Sequence, residues 1–274
     1  MLVVIGIDIG GTKIRIGGSN KGINLGRSVY VRTPEHYAEA LHLIAQSVAT
    51  LTGRHQIEAI GIASPGPIDL RNGRILTPSH LPWHNVAICH DLKQVFACPV
   101  SLGHDTTLGG VAEANFGAGR DVSNLLYVSI STGIGSSQII NGQPLPGDYN
   151  SEGGRQLIQQ EVHDRFVSFE DLASGAAIQR DFGKIAADIH KARDWDEIAH
   201  RLSLGLYNLI VITNPELVIL GGGVAVHYHR FIRPLRRHLT DLQKFYSLPK
   251  ITQARFVETA PLIGAVMLAR STTD

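Results

Sequence analysis

The stretch from Gly6 to Gly17, Gly-Ile-Asp-Ile-Gly-Gly-Thr-Lys-Ile-Arg-Ile-Gly, constrains this chain more than any other. The apolar run Leu2-Val3-Val4-Ile5 feeds into it and reads as a buried strand. Gly10-Gly11 breaks that strand, because residues without Cβ take backbone angles closed to others. Ile14 and Ile16 then restart an extended run, so the expectation is strand, tight turn, strand. At the turn Asp8 offers a carboxylate, Gly10 to Lys13 offer closely spaced backbone N–H groups, and Thr12 and Lys13 add a hydroxyl and a cation. Successive N–H groups in a turn form a concavity for anions. These residues read as a phosphate site with a metal ion near Asp8. A plain hairpin turn with an exposed lysine is the simpler alternative. The G-x-x-x-x-G-K-[ST] spacing of a Walker-type loop is missing, and no long helix follows.

A second stretch repeats the plan. Leu125 to Ile130 is a strand, Ser131-Thr132-Gly133-Ile134-Gly135 a hydroxyl- and glycine-bearing turn, and Ser136 to Ile140 a returning strand. Two such hairpins, one per domain, suit a polyphosphate gripped from both sides. The length supports that division: 274 residues at 43% hydrophobic content suit one large or two smaller domains. A formal charge of +1 without blocks of like charge argues against nucleic acid or an anionic membrane as partner. No apolar run reaches the roughly 18 residues that span a bilayer. Asp8 interrupts the apolar N-terminus, which has no basic lead, so a secretory signal is not expected. Cys89 and Cys98 do not make a disulfide framework. The expectation is a soluble, cytoplasmic protein.

Between the hairpins, Leu25 to Arg32 reads as a third strand. Thr33-Pro34-Glu35 predicts a helix start, with a capping hydroxyl, a proline at the first helical position and an acid in the first turn. Leu41, Ile44, Ala45, Val48 and Leu51 continue that helix to Gly53. Ile57 to Ala63 is a strand running into Ser64-Pro65-Gly66-Pro67, a stiff turn that suits either a ligand contact or plain structure. Val86 to Phe96 reads as a short helix and Pro99 to Leu102 as a strand ending on Gly103-His104-Asp105. Open α/β sheets place their chemistry at such strand ends. On its own, Asp105 reads more readily as an N-cap for the helix of small and apolar residues from Thr106 to Phe116. Leu217 to Leu220 is a last buried strand. Gly221-Gly222-Gly223 behind it would let a flat ring or a phosphate approach the backbone, or let strand and helix pack tightly. Pro261-Leu262-Ile263-Gly264-Ala265 opens a C-terminal helix.

Together these segments resemble the ROK family of sugar kinases and sugar-responsive repressors. The resemblance rests on Asp8-Ile9-Gly10-Gly11-Thr12-Lys13, Pro65-Gly66-Pro67, Asp105 with its helix, Ser131 to Gly135, Leu217 to Gly223 and Pro261 to Ala265, in family order over nearly the whole chain. It implies an α/β chain with the actin-like ATPase (ribonuclease H-like) duplicated fold. The N-terminal α/β domain would be residues 1–116, with a C-terminal helix, 261–274, packing back on it. The second would be residues 117–260, with a cleft between the two. The resemblance implies an ATP-dependent kinase acting on a hexose or hexosamine-type sugar, such as a glucokinase or N-acetylmannosamine kinase. Gly10, Gly11, Thr12, Lys13, Thr132 and Gly133 would bind phosphates, Gly221 and Gly222 the adenosine, and Asp8 would lie near Mg²⁺. Asp105 would be the general base. Gly66, His104, Glu152, Arg155 and Glu170 would line the sugar site. A small-molecule sugar partner and a homodimer are implied as well.

Two departures from the family pattern stand out. His104 occupies the place of the usual Asn before the catalytic Asp. The Gly-His and cysteine-rich loop that bind a structural zinc are also missing, since Arg155 follows Glu152-Gly153-Gly154 and no cysteine occurs after Cys98. No structural zinc site is expected; His163 is the lone candidate ligand of that kind between Glu152 and Ser174. Leu157, Ile158, Val162 and Phe166 recur at helical spacing and predict a helix from Arg155 to Phe169 in place of the zinc loop. Arg155 would pair with one of the neighbouring carboxylates or with an acidic group on the substrate, or stand exposed on that helix's first turn. The rival to a kinase using ATP is a degenerate sugar-binding regulatory protein, or a kinase using polyphosphate as donor. A DNA-binding repressor is not expected, because the phosphate turn begins within the first dozen residues and leaves no room for a helix-turn-helix.

Overall fold

Ile5, Ile7 and Ile9 point to one face of the opening strand and Val4, Gly6 and Asp8 to the other, and all six are buried. Burial on both faces is why the run is apolar throughout instead of alternating. The computed structural model describes residues 2–78, 81–147, 150–160, 165–243 and 247–272. Two compact units divide the chain: Met1–Ala112 with Thr259–Asp274, and Glu113–Glu258.

The first unit holds β1 (Leu2–Ile9), β2 (Lys13–Ser19), β3 (Ser28–Arg32), α1 (Tyr37–Thr52) and β4 (Gln56–Ser64). A small ribbon of β5 (Ile68–Asp69) and β6 (Arg74–Ile75) follows, then α2 (Ile88–Phe96), β7 (Val100–His104) and the start of α3 (Asp105–Phe116). Its sheet runs β3-β2-β1-β4-β7, with β2 antiparallel to β1, β3 antiparallel to β2, and β4 and β7 parallel to β1. Ala40, Ile44 and Val48 of α1 and Ile88 and Leu92 of α2 pack over the isoleucines on one face. The C-terminal helix covers the other; it is numbered α8 (Ala260–Arg270) and lies against β1 and β4. That contact is close enough that a Cβ at Gly61 would overlap the Ala265 carbonyl, so the glycine on β4 sets how near the helix approaches.

The second unit repeats the plan with β8 (Asn124–Ile130), β9 (Ile134–Ile140) and β10 (Gln143–Pro144). The hairpin β11 (Leu157–Gln160) and β12 (Arg165–Ser168) comes next, then α4 (Phe169–Ala173), α5 (Gly175–Phe182), α6 (Ala192–Thr213), β13 (Leu217–Gly221), α7 (Tyr228–Leu242) and β14 (Lys250–Gln253). The sheet order is β10-β9-β8-β13-β14, again with the hairpin strands antiparallel and the last two parallel to β8. Trp195, Ile198, Leu202, Leu206 and Leu209 form the buried stripe of α6 at helical spacing. Trp195 stacks on Phe231 of α7 and donates its indole N–H to the Ile189 carbonyl at 3.0 Å.

Two local expectations fail. The helix expected over 155–169 is a 3₁₀ turn (Gly153–Arg155), the antiparallel hairpin β11–β12 and only then α4. Period two wins over the apparent helical spacing. Ile158 is buried and pairs with the half-buried Val167, while Leu157 and Phe166 face outward at 66% and 63% exposure. Val162 and His163 lie outside the described residues. The first helix also starts later than Thr33-Pro34-Glu35 suggests. It begins at Tyr37, with His36 in the cap position making no side-chain cap bond. Strand pairing claims the earlier residues: β3 stays bonded to β2 up to the pair Lys13–Arg32. Thr33 is then left beside the glycine turn, where its hydroxyl donates to the Gly10 carbonyl at 2.6 Å and its N–H to the Thr12 carbonyl at 3.1 Å.

Candidate active site

In the first unit, parallel pairing aligns the C-terminal ends of three strands along one sheet edge. Asp8 of β1 sits level with Ala63 of β4, and Ser64 of β4 level with His104 of β7. Asp8, the turn beginning at Pro65 and Gly66, and the pair His104-Asp105 therefore share that edge, which is where such sheets place ligands. The turn from Gly10 to Lys13 closes beside Asp8 with the Gly10 N–H donating to the Lys13 carbonyl at 3.0 Å. Gly11, Thr12 and Lys13 are exposed there. Gly10 does not adopt a left-handed angle as expected of a strand breaker; a Cβ would stand 3.1 Å from the Lys13 carbonyl, so the reason for glycine is space.

Asp8 is almost fully buried and meets Arg15 across the hairpin, with Arg15 Nη1 3.3 Å from Asp8 Oδ2. Its carboxyl is pushed up to about 7, by burial first and by the charge of Asp105 second, against the opposing pull of Arg15 and Lys13. Two neighbouring carboxylates, one of them dry, form a donor set that a hard divalent cation with oxygen ligands would relieve. Asp105 opens α3 with its side chain 30% exposed. Its Oδ1 accepts from the Thr106 N–H at 2.5 Å and the Thr106 hydroxyl at 3.1 Å, and lies 3.5 Å from His104 Nδ1. The bonded N–H is that of the very next residue, so Asp105 is not making the bond to the second or third helical N–H that an N-cap makes. Among the described residues, no partner engages Oδ2. His104 itself is buried at the end of β7.

The second unit assembles its expected residues around the β8–β9 turn. Ser131 donates its N–H to the Gly133 carbonyl at 2.8 Å, leaving Thr132 exposed and Gly133 buried. Glu170 of α4 accepts the Ile134 N–H at 2.9 Å. Gly175 and Ala176 donate their N–H groups to the Ser131 and Thr132 carbonyls at 2.7 and 3.2 Å. At Gly154 a Cβ would overlap the Ile134 carbonyl. Glu170, expected to line a sugar site, thus also braces this turn. Glu152 and Arg155 form an exposed pair, with Arg155 Nε 3.3 Å from Glu152 Oε2. Arg155 stands on the 3₁₀ turn, not on a helix.

The glycines after β13 divide in role. Gly221 packs on the Tyr127 hydroxyl, and Gly222 is at φ +85° with the Ile130 backbone where a Cβ would be. Gly223 alone opens onto free space among these three. The reading of the sequence missed Arg15 and Thr33. Arg15 was discoverable: in a hairpin that turns through Gly10 to Lys13, residues 8 and 15 stand directly opposite. Thr33 was hidden by its resemblance to a helix cap. Among the described residues, no three His, Cys, Asp or Glu side chains form a group able to hold a metal. No helix among them is long and apolar enough to cross a membrane.

Comparison with known proteins matches this geometry to one family. The model of the ROK family matches residues 4–272. A fructokinase of Zymomonas mobilis is 30% identical over 241 residues, covering 81% of this chain and 74% of that protein. The crystal structure of the ROK hexokinase from Thermus thermophilus superposes with a TM-score of 0.78 at 28% identity, over 99% of this chain and 100% of that one. For a ROK family glucokinase from Streptomyces griseus in complex with glucose and AMPPNP the TM-score is 0.87, over 98% of this chain and 99% of that one. That likeness, at 23% identity, speaks to the fold. With two units of like topology, a hydroxyl- and glycine-bearing hairpin turn in each and a family match over nearly its whole length, the chain belongs to the ROK family, as a sugar kinase of the actin-like ATPase fold.

Proposed function

We propose that this chain transfers the terminal phosphoryl group of ATP to a hydroxyl of a hexose or hexosamine-type sugar, with Asp105 as the general base. One observation carries the reading: Asp105 stands at a strand's C-terminal end with Oδ1 held by Thr106 and Oδ2 uncommitted among the described residues, on the sheet edge that bears Asp8 and the Gly10 to Lys13 turn. A carboxylate fixed through one oxygen presents the other in a set direction. As the sugar oxygen bonds to phosphorus and the bond to the ADP oxygen breaks, Oδ2 takes the hydroxyl proton. Gly10, Gly11, Thr12 and Lys13 would hold phosphates in the first unit, and Thr132 and Gly133 in the second. Gly221 and Gly222 would shape the adenosine contact, with the open side of Gly223 facing the ligand. Asp8 would hold Mg²⁺, which supplies positive charge to the phosphates when bound.

Gly66, His104, Glu152, Arg155 and Glu170 are assigned to the sugar. His104 has a second task in this reading, since its ring lies against the oxygen of Asp105 that is not the base. The relatives act on different sugars by name, a fructokinase, a hexokinase and a glucokinase, so the acceptor is left at the level of class. A cytoplasmic homodimer is part of the same proposal, and sedimentation equilibrium tests the dimer.

An ADP-release screen over hexoses, amino sugars and N-acetyl sugars with Mg-ATP tests the function, with a polyphosphate arm in parallel. We expect turnover with ATP on at least one sugar. Asp105→Asn should lower that turnover by about 10²–10⁴-fold while sugar and ATP still bind. Turnover within a few-fold of wild type would place the base elsewhere, and silence with every sugar and both donors would favour a regulatory protein.

A further inference from the structure

Among the described residues Glu113 is the most deeply buried charged side chain, at 0% exposure, and no step of the proposed phosphoryl transfer uses it. It sits on α3, eight residues after Asp105, in a helix otherwise made of small and apolar residues. Burying a carboxylate is costly unless hydrogen bonds replace the lost water. Here three backbone donors do so. Oε2 accepts from the Ala118 N–H at 2.8 Å and the Arg255 N–H at 3.1 Å, and Oε1 from the Phe256 N–H at 2.6 Å. Among the described residues, no Lys, Arg or His side chain pairs with it. Gly117 leaves it room, since a Cβ there would overlap Oε2.

The donors identify what the carboxylate is for. Arg255 and Phe256 belong to the segment between β14 and α8, distant in sequence from α3. The next residue, Val257, accepts the Gly222 N–H at 2.9 Å. Gly222 is held at φ +85° against the Ile130 backbone, its N–H bonded outward to Val257 and its carbonyl accepting the Ala225 N–H at 3.0 Å. The Arg255 side chain returns to the same helix, with Nη1 donating to the Phe116 carbonyl at 3.2 Å. A continuous set of bonds therefore runs from Glu113 to residues 255–257 and on to the glycine loop after β13.

We infer that Glu113 is a positioning residue for the Gly221 to Gly223 loop, setting its shape by clamping residues 255–257 to α3. The inference rests on the proposed nucleotide role of that loop for its kinetic consequence, but not for its structural one. A neutral amide cannot satisfy three N–H donors as a carboxylate does, because its NH₂ would face at least one of them. Glu113→Gln therefore loosens the clamp while preserving shape.

Amide hydrogen exchange and steady-state kinetics on the full chain test it together. In wild type, the amides of Arg255, Phe256 and Gly222 should exchange through one common opening. In Glu113→Gln, Gly222 should lose protection with them. The KM for ATP should rise about tenfold, the weight of one bond to a charged group, with the sugar KM within about twofold. A purely structural role would move both KM values or neither. If the Gln variant does not fold, Glu113→Asp, which keeps the charge but withdraws it from 255–256, and the wild-type exchange pattern carry the same test. Unchanged Gly222 protection, or its exchange independently of 255–256, overturns the inference. Failure of wild type to bind AMPPNP would instead overturn the nucleotide reading, and the exchange coupling is still read on its own.

Discussion

Between Ile9 and Ile14 the first hairpin turns through four residues, with Gly11, Thr12 and Lys13 exposed, whereas between Ile130 and Ile134 the second turns through three, with Gly133 buried. Directly beneath the first turn stands the cross-strand pair Asp8–Arg15; the same place in the second is held by Ser129 and Gly135. Support differs too. Thr33, next to β3, ties down the first turn through the Gly10 and Thr12 carbonyls. Around the second, Glu170, Gly175, Ala176 and the close approach of Gly154 all converge. A duplicated topology has thus been finished in two ways. One turn carries charged side chains and stays open, and the other is a backbone shape held from outside.

That contrast can be broken most sharply with valine at the two glycines. Gly11→Val should abolish nucleotide binding and leave the melting temperature near wild type, because Gly11 is exposed at the turn proposed to hold a phosphate. Gly133→Val should abolish binding and also lower the melting temperature by several degrees, since overpacking a buried site costs about 1–3 kcal/mol. Calorimetry with AMPPNP beside a thermal melt decides it. Equal melts for the two variants would erase the distinction.

The charged pair under the first turn yields a pH test. Asp8's carboxyl lies at about 7 in the fold, against an ordinary 3.8. A raised folded value means a contribution fully present below about pH 4 and lost as pH rises through about 7. Asp8→Asn does not titrate, so its stability relative to wild type should climb over that window, by about 4 kcal/mol at most. Melts from about pH 4 to pH 8 read the gap, and a gap that does not widen would show that Asp8 bears its charge without strain.

Smaller effects separate the supports. Glu170→Ala deprives the Ile134 N–H of its acceptor and should cost about 1–3 kcal/mol, more than Thr33→Val, expected at about 0.5–1.5 kcal/mol. Urea titrations of both variants give the order, and the reverse order would make the first turn the more dependent one. Least of all is the effect of zinc removal. A zinc-selective chelator should leave the melting temperature unchanged, and elemental analysis should find no stoichiometric zinc; a large drop would restore a metal to the segment after Glu152.

Much of the two hairpins was legible in the sequence because their signals are local. Glycines and hydroxyls at a turn, flanked by apolar runs, need no distant partner to be read. The buried strands β1, β4, β8 and β13 were legible for the same reason. The segment after Gly154 was not. Leu157, Ile158 and Phe166 fit both a helix and a hairpin, and the choice falls to which side chains find a core: Ile158 does, while Leu157 and Phe166 stay out. Thr33 failed likewise, since a hydroxyl before a proline suits a helix cap until strand pairing places it against the Gly10 carbonyl.

By itself, then, the sequence determined the family, the duplicated order of strands and the residue types at each turn, all of which depend on short-range pattern. Only the tertiary structure decided which carboxylates are dry, which are braced and which are open. Asp8 is dry because α8 and the hairpin cover its face, Glu113 is satisfied by N–H groups from more than a hundred residues away, and Asp105 keeps an oxygen free of the described residues at a strand end. Burial and long-range hydrogen bonds depend on what the folded chain brings alongside each group, and no local spacing encodes that.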